Sequence, residues 1–127
     1  MAIVGIGVDR IRISRVESSL NRFGDRFVSR VYTPDEIRQA RSKGNFARRL
    51  AMLFAAKEAV SKALATGFHQ GVAPICIETV HQPSGKPEIN LYHGAKDAAS
   101  RLNISAMHVS LTDDDGVAMA FAVAEGV

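Results

Sequence analysis

Tryptophan is absent from this 127-residue chain, and aromatic residues make up only 6% of it, as six Phe and two Tyr. A core with so few rings must be filled by aliphatic and small side chains. There is one cysteine, Cys76, between Ile75 and Ile77, which excludes a disulfide framework and any Cys-x-x-Cys site. The four histidines, His69, His81, His93 and His108, show no metal-binding spacing, so a zinc site is not expected. No G-x-S-x-G elbow and no Walker loop occurs, and Gly5-Ile6-Gly7 is too short for a dinucleotide fingerprint. No run approaches the roughly 20 apolar residues that span a bilayer. The opening MAIVGIGVD lacks the basic start and cleavage site of a signal peptide. The expectation is a cytoplasmic protein without membrane contact.

With 46% hydrophobic and 23% charged residues and a mean hydropathy near zero, the composition is that of a soluble globular chain rather than a disordered one. The length fits one domain, 1–127. The net charge of +3 is unevenly spread. Residues 1–49 carry eleven Lys or Arg against five Asp or Glu, whereas residues 50–127 carry five against eight. Ten of the eleven early cations are arginine, whose planar fork binds both oxygens of a carboxylate or phosphate. Such a half is either a solvated face or a docking surface for an acidic partner. A nucleic-acid partner is not expected, because the basic stretch lacks aromatic stacking platforms and a recognisable motif.

The segment from Phe46 to Gly67 organises the rest. Ala47, Ala51, Ala55, Ala59 and Ala63 recur at i,i+4, a row of small side chains that allows a neighbouring backbone to approach closely. The next row, Phe46, Leu50, Phe54, Glu58 and Lys62, turns from apolar to charged. Upstream, Ala2–Val8 reads as a buried strand with Asp9 at or just past its end. Ser14 and Glu17 have the form of a capping box opening a helix that Gly24 can close, and Thr33-Pro34-Asp35-Glu36 opens another. Arg15, Arg22 and, if the helical phase persists, Arg26 share one side. Asn45 can cap the long helix and Gly67 close it. Downstream the period changes to two: Ile75–His81 and Glu88–Tyr92 flank the turn around Pro83–Pro87, a short helix runs over Gly94–Leu102, and Ala106–Thr112 and Val117–Ala124 flank Asp113–Gly116. The last strand is nearly all apolar and so should be central. The predicted fold is α+β: a mostly antiparallel five-stranded sheet packed on one long helix, with shorter helices.

Four groups remain as chemistry-bearing: Asp9, Glu58, Lys62 and Lys86, the last in the turn Ser84-Gly85-Lys86-Pro87. Spacing alone leaves two readings open. Glu58 and Lys62 form a helix pair worth a few tenths of a kcal/mol, or a hard cation and a phosphate ligand sit beside them. Magnesium is usually held by one or two protein carboxylates and completed by waters and substrate phosphates.

Four stretches in order resemble the holo-acyl-carrier-protein synthases, the small-subunit class of 4′-phosphopantetheinyl transferase. They are Gly5-Ile-Gly-Val-Asp9, Phe54-Ala-Ala-Lys-Glu-Ala-Val-Ser-Lys-Ala63, Gly85-Lys-Pro87, and His108-Val-Ser-Leu-Thr112 before the final apolar strand. The second carries most of the likeness, and together they span nearly the whole chain. The resemblance implies the fold of that family and transfer of the phosphopantetheine arm of coenzyme A to a serine of apo acyl carrier protein, releasing adenosine 3′,5′-bisphosphate, in fatty acid biosynthesis. It implies Mg²⁺ on Asp9 and Glu58, with Glu58 and Lys62 catalytic and Lys62 neutralising the pyrophosphate. It assigns Lys62, Gly85, Lys86, Pro87 and His108 to coenzyme binding, and gives Arg15, Arg22 and Arg26 an acidic carrier protein to dock. It also implies a homotrimer with active sites between subunits.

The chain departs from that family's pattern at four places. Arg10 and Arg12 stand where an aliphatic residue, often followed two positions later by an acid, is usual. Leu53 replaces an arginine that would be expected to contact a coenzyme phosphate, and Ala65 replaces a glycine. The proposed metal ligands are untouched. A non-catalytic relative that binds an acidic carrier-like protein is the alternative these departures leave open.

Overall fold

The computed structural model describes residues 1–127. Its elements run β1 (Ala2–Arg12), α1 (Ile13–Phe23), α2 (Asp25–Val31), α3 (Pro34–Ser42), α4 (Phe46–Ala63), a 3₁₀ turn (Pro74–Cys76), β2 (Ile77–His81), β3 (Pro87–Leu91), α5 (His93–Arg101), β4 (Ile104–Asp114) and β5 (Val117–Gly126). The α+β class and the long central helix are as the pattern predicts, and every strand pair is antiparallel. The five strands do not form one sheet, however. They divide into a three-stranded sheet, β1-β5-β4, and the separate hairpin β2-β3. β3 lies beside β4 without joining its ladder; it opens on Pro87, which has no amide to give. The apolar β5 is central, as expected, with β1 and β4 on either side of it.

The alanine row of α4 packs under this sheet. Ala51, Ala55, Ala59 and Ala63 are buried, as are Ala118, Ala120, Ala122 and Ala124 on the facing side of β5. Gly5 and Gly7 of β1 face the same helix so closely that a Cβ at either position would collide with the carbonyl of Ala63 or Ala59. Small residues on both partners replace the missing large rings: they bring backbone onto backbone instead of filling a gap. β1 residues Gly5, Gly7, Asp9 and Ile11 therefore turn toward α4, and Ile6, Val8 and Arg10 turn outward.

Several element ends differ from the expectation. β1 does not stop near Asp9 but continues to Arg12, because pairing with β5 persists to Arg12 opposite Val117. The Ser14–Glu17 capping box does not form; α1 begins directly out of the strand, and the amide of Ile13 donates to the Gly116 carbonyl (2.9 Å) instead. Gly24 closes α1 as foreseen, but with φ 55° and ψ −131° it breaks the helical phase, so Arg26 sits on α2. Thr33 and Glu36 do make a capping box on α3. Asn45 occupies the N-cap of α4 in a left-handed conformation without a side-chain bond. That helix ends at Ala63, before Gly67: Ala65 already has φ 62°, and the amides of Thr66 and Gly67 both donate to the Ser61 carbonyl.

Candidate active site

β1 and α4 bring Asp9, Glu58 and Lys62 together. The close approach at Gly5 and Gly7 sets the distance between strand and helix, and two residues further on the strand presents Asp9 to the charged end of the α4 stripe. Lys62 Nζ donates to Asp9 Oδ1 (3.0 Å) and to the Val8 carbonyl (3.1 Å). The ion pair is therefore Lys62–Asp9 across the two elements, and no Glu58–Lys62 pair forms along the helix. Burial, and then the neighbouring Asp9 carboxylate, push the Glu58 carboxyl above its ordinary value, while Lys62 and Arg15 pull it back.

A carboxylate whose proton affinity a second carboxylate raises forms with it a donor set that a hard cation relieves. No third His, Cys, Asp or Glu joins them. The pair thus matches a magnesium ion, which needs one or two protein carboxylates, rather than zinc, which is held by three or four protein ligands. Lys62, with its side chain about half exposed (49%), supplies a cation beside the same carboxylates. Phe54, one turn before Glu58, is half-buried and lines a small groove with Ile11, Arg15 and Phe27.

The second group of candidate residues lies elsewhere on the chain. Gly85, at φ 90°, makes the tight β2–β3 turn, and the Lys86 amide donates to Ser84 Oγ (3.3 Å). Lys86, Pro87 and His108 share a groove of about 360 Å³ between β3 and β4. His108 is in hydrogen-bond contact with Glu125 (2.6 Å), a partner the sequence pattern did not single out. Through β5, His108 is opposite Val123 and Val123 opposite Ile6, whereas Asp9 is opposite Ala120. Alternation along the strands places His108 on the outward face and Asp9 on the face toward α4. A single chain therefore does not join the two groups.

The arginines are exposed. Arg15 and Arg22 share a face of α1, Arg22 stacks over the Phe23 ring (5.2 Å), and Arg26 lines a hollow with Arg30, Phe23, Phe27 and Val31. Leu53 is buried in the cluster that holds Val16, Tyr32 and Leu50, and borders a cavity of about 60 Å³ with Gln39, Arg49 and His81. Arg49, one turn earlier, and the buried Lys57, one turn later, are the cations nearest in sequence to where the resemblance leads one to expect an arginine.

The largest polar feature not anticipated is a buried network behind Glu58. Lys57 is fully buried, and its ammonium donates to Glu36 Oε1 (2.7 Å), the Pro74 carbonyl (2.9 Å) and the Ile77 carbonyl (2.5 Å). Glu36 accepts from the amides of Thr33 and Thr79, both at 3.0 Å. Glu78 accepts from Thr33 Oγ1 (2.5 Å), Asn90 and Tyr92. Burial pushes the Glu36 carboxyl up and the Lys57 ammonium down, and their contact draws each back toward the charged form. The signal was present in the sequence: Lys57 lies four residues from Leu53 and Ser61 on an otherwise buried face.

The pattern that defines the 4′-phosphopantetheinyl transferase superfamily matches residues 5–122. The chain is 43% identical over 125 residues to a holo-[acyl-carrier-protein] synthase of Sodalis glossinidius, covering 98% of this chain and 99% of that one. It is 42% identical to the synthase of Desulfovibrio desulfuricans over the same shares. The crystal structure of the Neisseria meningitidis holo-[acyl-carrier-protein] synthase superposes with a TM-score of 0.89 at 34% identity, covering 98% of this chain and 99% of the other. That of the Helicobacter pylori enzyme in complex with coenzyme A gives 0.83 at 32%, covering 94% and 99%. The chain belongs to the 4′-phosphopantetheinyl transferase superfamily, within the holo-[acyl-carrier-protein] synthases.

Proposed function

We propose that this protein, with residues 1–127 as one functional unit, transfers the 4′-phosphopantetheine group of coenzyme A to a serine of apo acyl carrier protein. The observation that carries this reading is the meeting of Asp9, Glu58 and Lys62 where β1 crosses α4. The serine hydroxyl gives up its proton to water as its oxygen forms a bond to the phosphorus that bears the pantetheine arm, the pyrophosphate bond breaks, and adenosine 3′,5′-bisphosphate leaves. Asp9 and Glu58 would hold Mg²⁺, which when bound neutralises the pyrophosphate and acts as a Lewis acid. Lys62 stands ready to stabilise charge on the leaving group, a preorganised cation in the manner of other phosphoryl-transfer sites. Lys86, Gly85, Pro87 and His108 bind the coenzyme, with Lys86 on a phosphate. Arg15, Arg22 and Arg26 steer and dock the acidic carrier.

The two groups of site residues meet between copies of the chain. The outward face of the three-stranded sheet carries Ile6, Val8, Met119 and Phe121, each 40% or more exposed, with Ile3 close by at 68%. A contiguous apolar face of this kind marks an interface, and a homotrimer would let Asp9 and Glu58 of one copy face the Gly85 turn of the next. The reaction belongs to fatty acid biosynthesis in the cytoplasm, and no helix is long and apolar enough to cross a membrane. The test is direct: incubate apo acyl carrier protein with coenzyme A, Mg²⁺ and the protein, then measure the carrier's mass. A gain of one phosphopantetheine supports the reading, and no gain on any apo carrier with folded protein overturns it.

A further inference from the structure

β2 has two edges, and only one of them is paired with a strand. Along one edge it is bonded to β3; the amides of Thr79 and His81 point the other way, where no strand lies. A bare edge of this kind leaves its donors without partners. Side chains of α3 take the place of the missing strand. Glu36 Oε2 accepts from the Thr79 amide (3.0 Å), and Gln39 Oε1 accepts from the His81 amide (3.0 Å). Glu36 and Gln39 are neighbours at i,i+3 on one helix face, and Thr79 and His81 are alternate residues on one strand edge. From α4, Lys57 reaches the Ile77 carbonyl on the same edge (2.5 Å).

The three anchors differ in place. Glu36 and Lys57 are fully buried and hold the start of the strand. Gln39 is half-buried and holds His81, the last strand residue before the turn that carries Gly85 and Lys86. Directly beyond His81 the turn closes on itself: the Gln82 amide donates to the Lys86 carbonyl (2.9 Å), and the Gly85 amide to the Gln82 carbonyl (2.7 Å). The side-chain bonds of Gln82 and Ser84 also stay within the hairpin. The turn therefore hangs from its base, and Gln39 is the side chain that fixes this base. It does so at two atoms, since His81 Nδ1 also lies 3.1 Å from Gln39 Oε1. Burial and the nearby Lys43 and Arg49 disfavour the charged ring. Because Oε1 already accepts from the amide, Nδ1 carries the proton of the neutral ring and donates as well.

We propose that Gln39 is a positioning residue for coenzyme binding: through His81 it holds the Gly85–Lys86 turn in place before the coenzyme arrives. The proposal rests on the transferase reading above, which gives that turn to the coenzyme. A turn already ordered loses less freedom on binding than one that must first be gathered. Gln39 acts only through His81, so its effect belongs to the affinity for coenzyme A and not to the chemical step.

The experiment compares wild type, Gln39→Met and Gln39→Glu as full-length assembled proteins. Met keeps the length of the side chain and removes the acceptor, whereas Glu keeps an acceptor oxygen. In titration calorimetry the Kd for coenzyme A should rise about fivefold in Gln39→Met, as for the loss of one hydrogen bond. In Gln39→Glu it should stay within about twofold of wild type. The KM for coenzyme A should rise with the Kd, while kcat and the KM for apo acyl carrier protein stay unchanged. Amide exchange at His81 should quicken in Gln39→Met and not in Gln39→Glu. Faster exchange with an unchanged Kd would reduce the contact to a stabilising one and overturn the proposal. Equal rises in both KM values, the mark of a general loosening, would overturn it too, as would a Gln39→Glu protein no better than Gln39→Met. A wild type that binds coenzyme A in this Gln39-dependent way but never loads a carrier refutes the transferase reading and leaves the positioning role standing. A wild type that binds no coenzyme A overturns both.

Discussion

Lys57 and Glu58 are neighbours in sequence with opposite environments, and the contrast assigns their roles. Lys57 turns inward, where its three protons are all taken by Glu36 and two carbonyls. Glu58 turns toward Asp9 and the surface. Lys57→Met should leave the Glu36 carboxylate buried without a counter-charge and cost about 3–5 kcal/mol, whereas Lys57→Met with Glu36→Gln should recover much of it. Urea unfolding measures both, and equal losses in the single and double variants would mean the pair is not what holds these groups. At Glu58 the sign is different. Its carboxyl is pushed up by burial and by Asp9, so the folded state holds that proton more tightly than the unfolded chain. Any stability from this group is present at low pH and lost as pH rises through its raised pKa. Glu58→Gln should therefore be at least as stable as wild type at neutral pH without metal. Mg²⁺ at about 100 times its Kd should stabilise the wild type by about 2.7 kcal/mol and the variant not at all. A melting temperature that rises equally in both on adding Mg²⁺ would remove Glu58 from the metal site.

At the scale of elements, the ends of α4 are tied down by different means. Near its start, Arg48 forms a two-point contact with Asp113 at the end of β4, with Nε at 2.8 Å and Nη2 at 2.6 Å. The Arg48 guanidinium holds the Asp113 carboxyl below its ordinary value. Because that pKa is depressed on folding, the stabilisation is present above the unfolded value of about 3.9 and lost as pH falls through the folded one. Arg48→Ala should cost about 0.5–1 kcal/mol at pH 7, and the difference from wild type should vanish in acid. Thermal melts at pH 7 and near pH 3 check this, and a constant difference across that range would contradict it. Such cross-element contacts are what the sequence could not show. The i,i+4 alanine row, the Thr33 box and the apolar last strand are local patterns, and each was legible. The extent of β1 to Arg12 depends on β5 pairing 105 residues later at Val117, and the lost Ser14 cap on a carbonyl from the β4–β5 turn. The partner of Lys62 was equally hidden, since spacing offered Glu58 and only the crossing of β1 over α4 supplies Asp9. Asp9, Glu58 and Lys62 could be chosen as candidates from their residue types and motif, but not their contacts.

For the whole molecule, the outward sheet face and the divided site lead to one requirement. Asp9 and Glu58 lie on the α4 side of the sheet, and the Lys86–His108 groove opens between β3 and β4 with His108 on the other side. If each active centre draws one group from each of two copies, a chain damaged in the first group can still lend an intact second group to its neighbour. Glu58→Gln and Lys86→Glu should each be impaired as pure proteins, the first through metal binding and the second through the coenzyme phosphates. Co-refolded together, they should regain activity above the mean of the two, because some interfaces then pair an intact Glu58 with an intact Lys86. A mixture that never exceeds that mean would place the complete site within one chain. Phe121→Arg supplies the control at the sheet face: placing a charge where Ile6, Val8 and Met119 are exposed should lower the sedimentation mass and abolish the recovery. Recovery that persists in a monomeric Phe121→Arg background would exclude a site shared between copies.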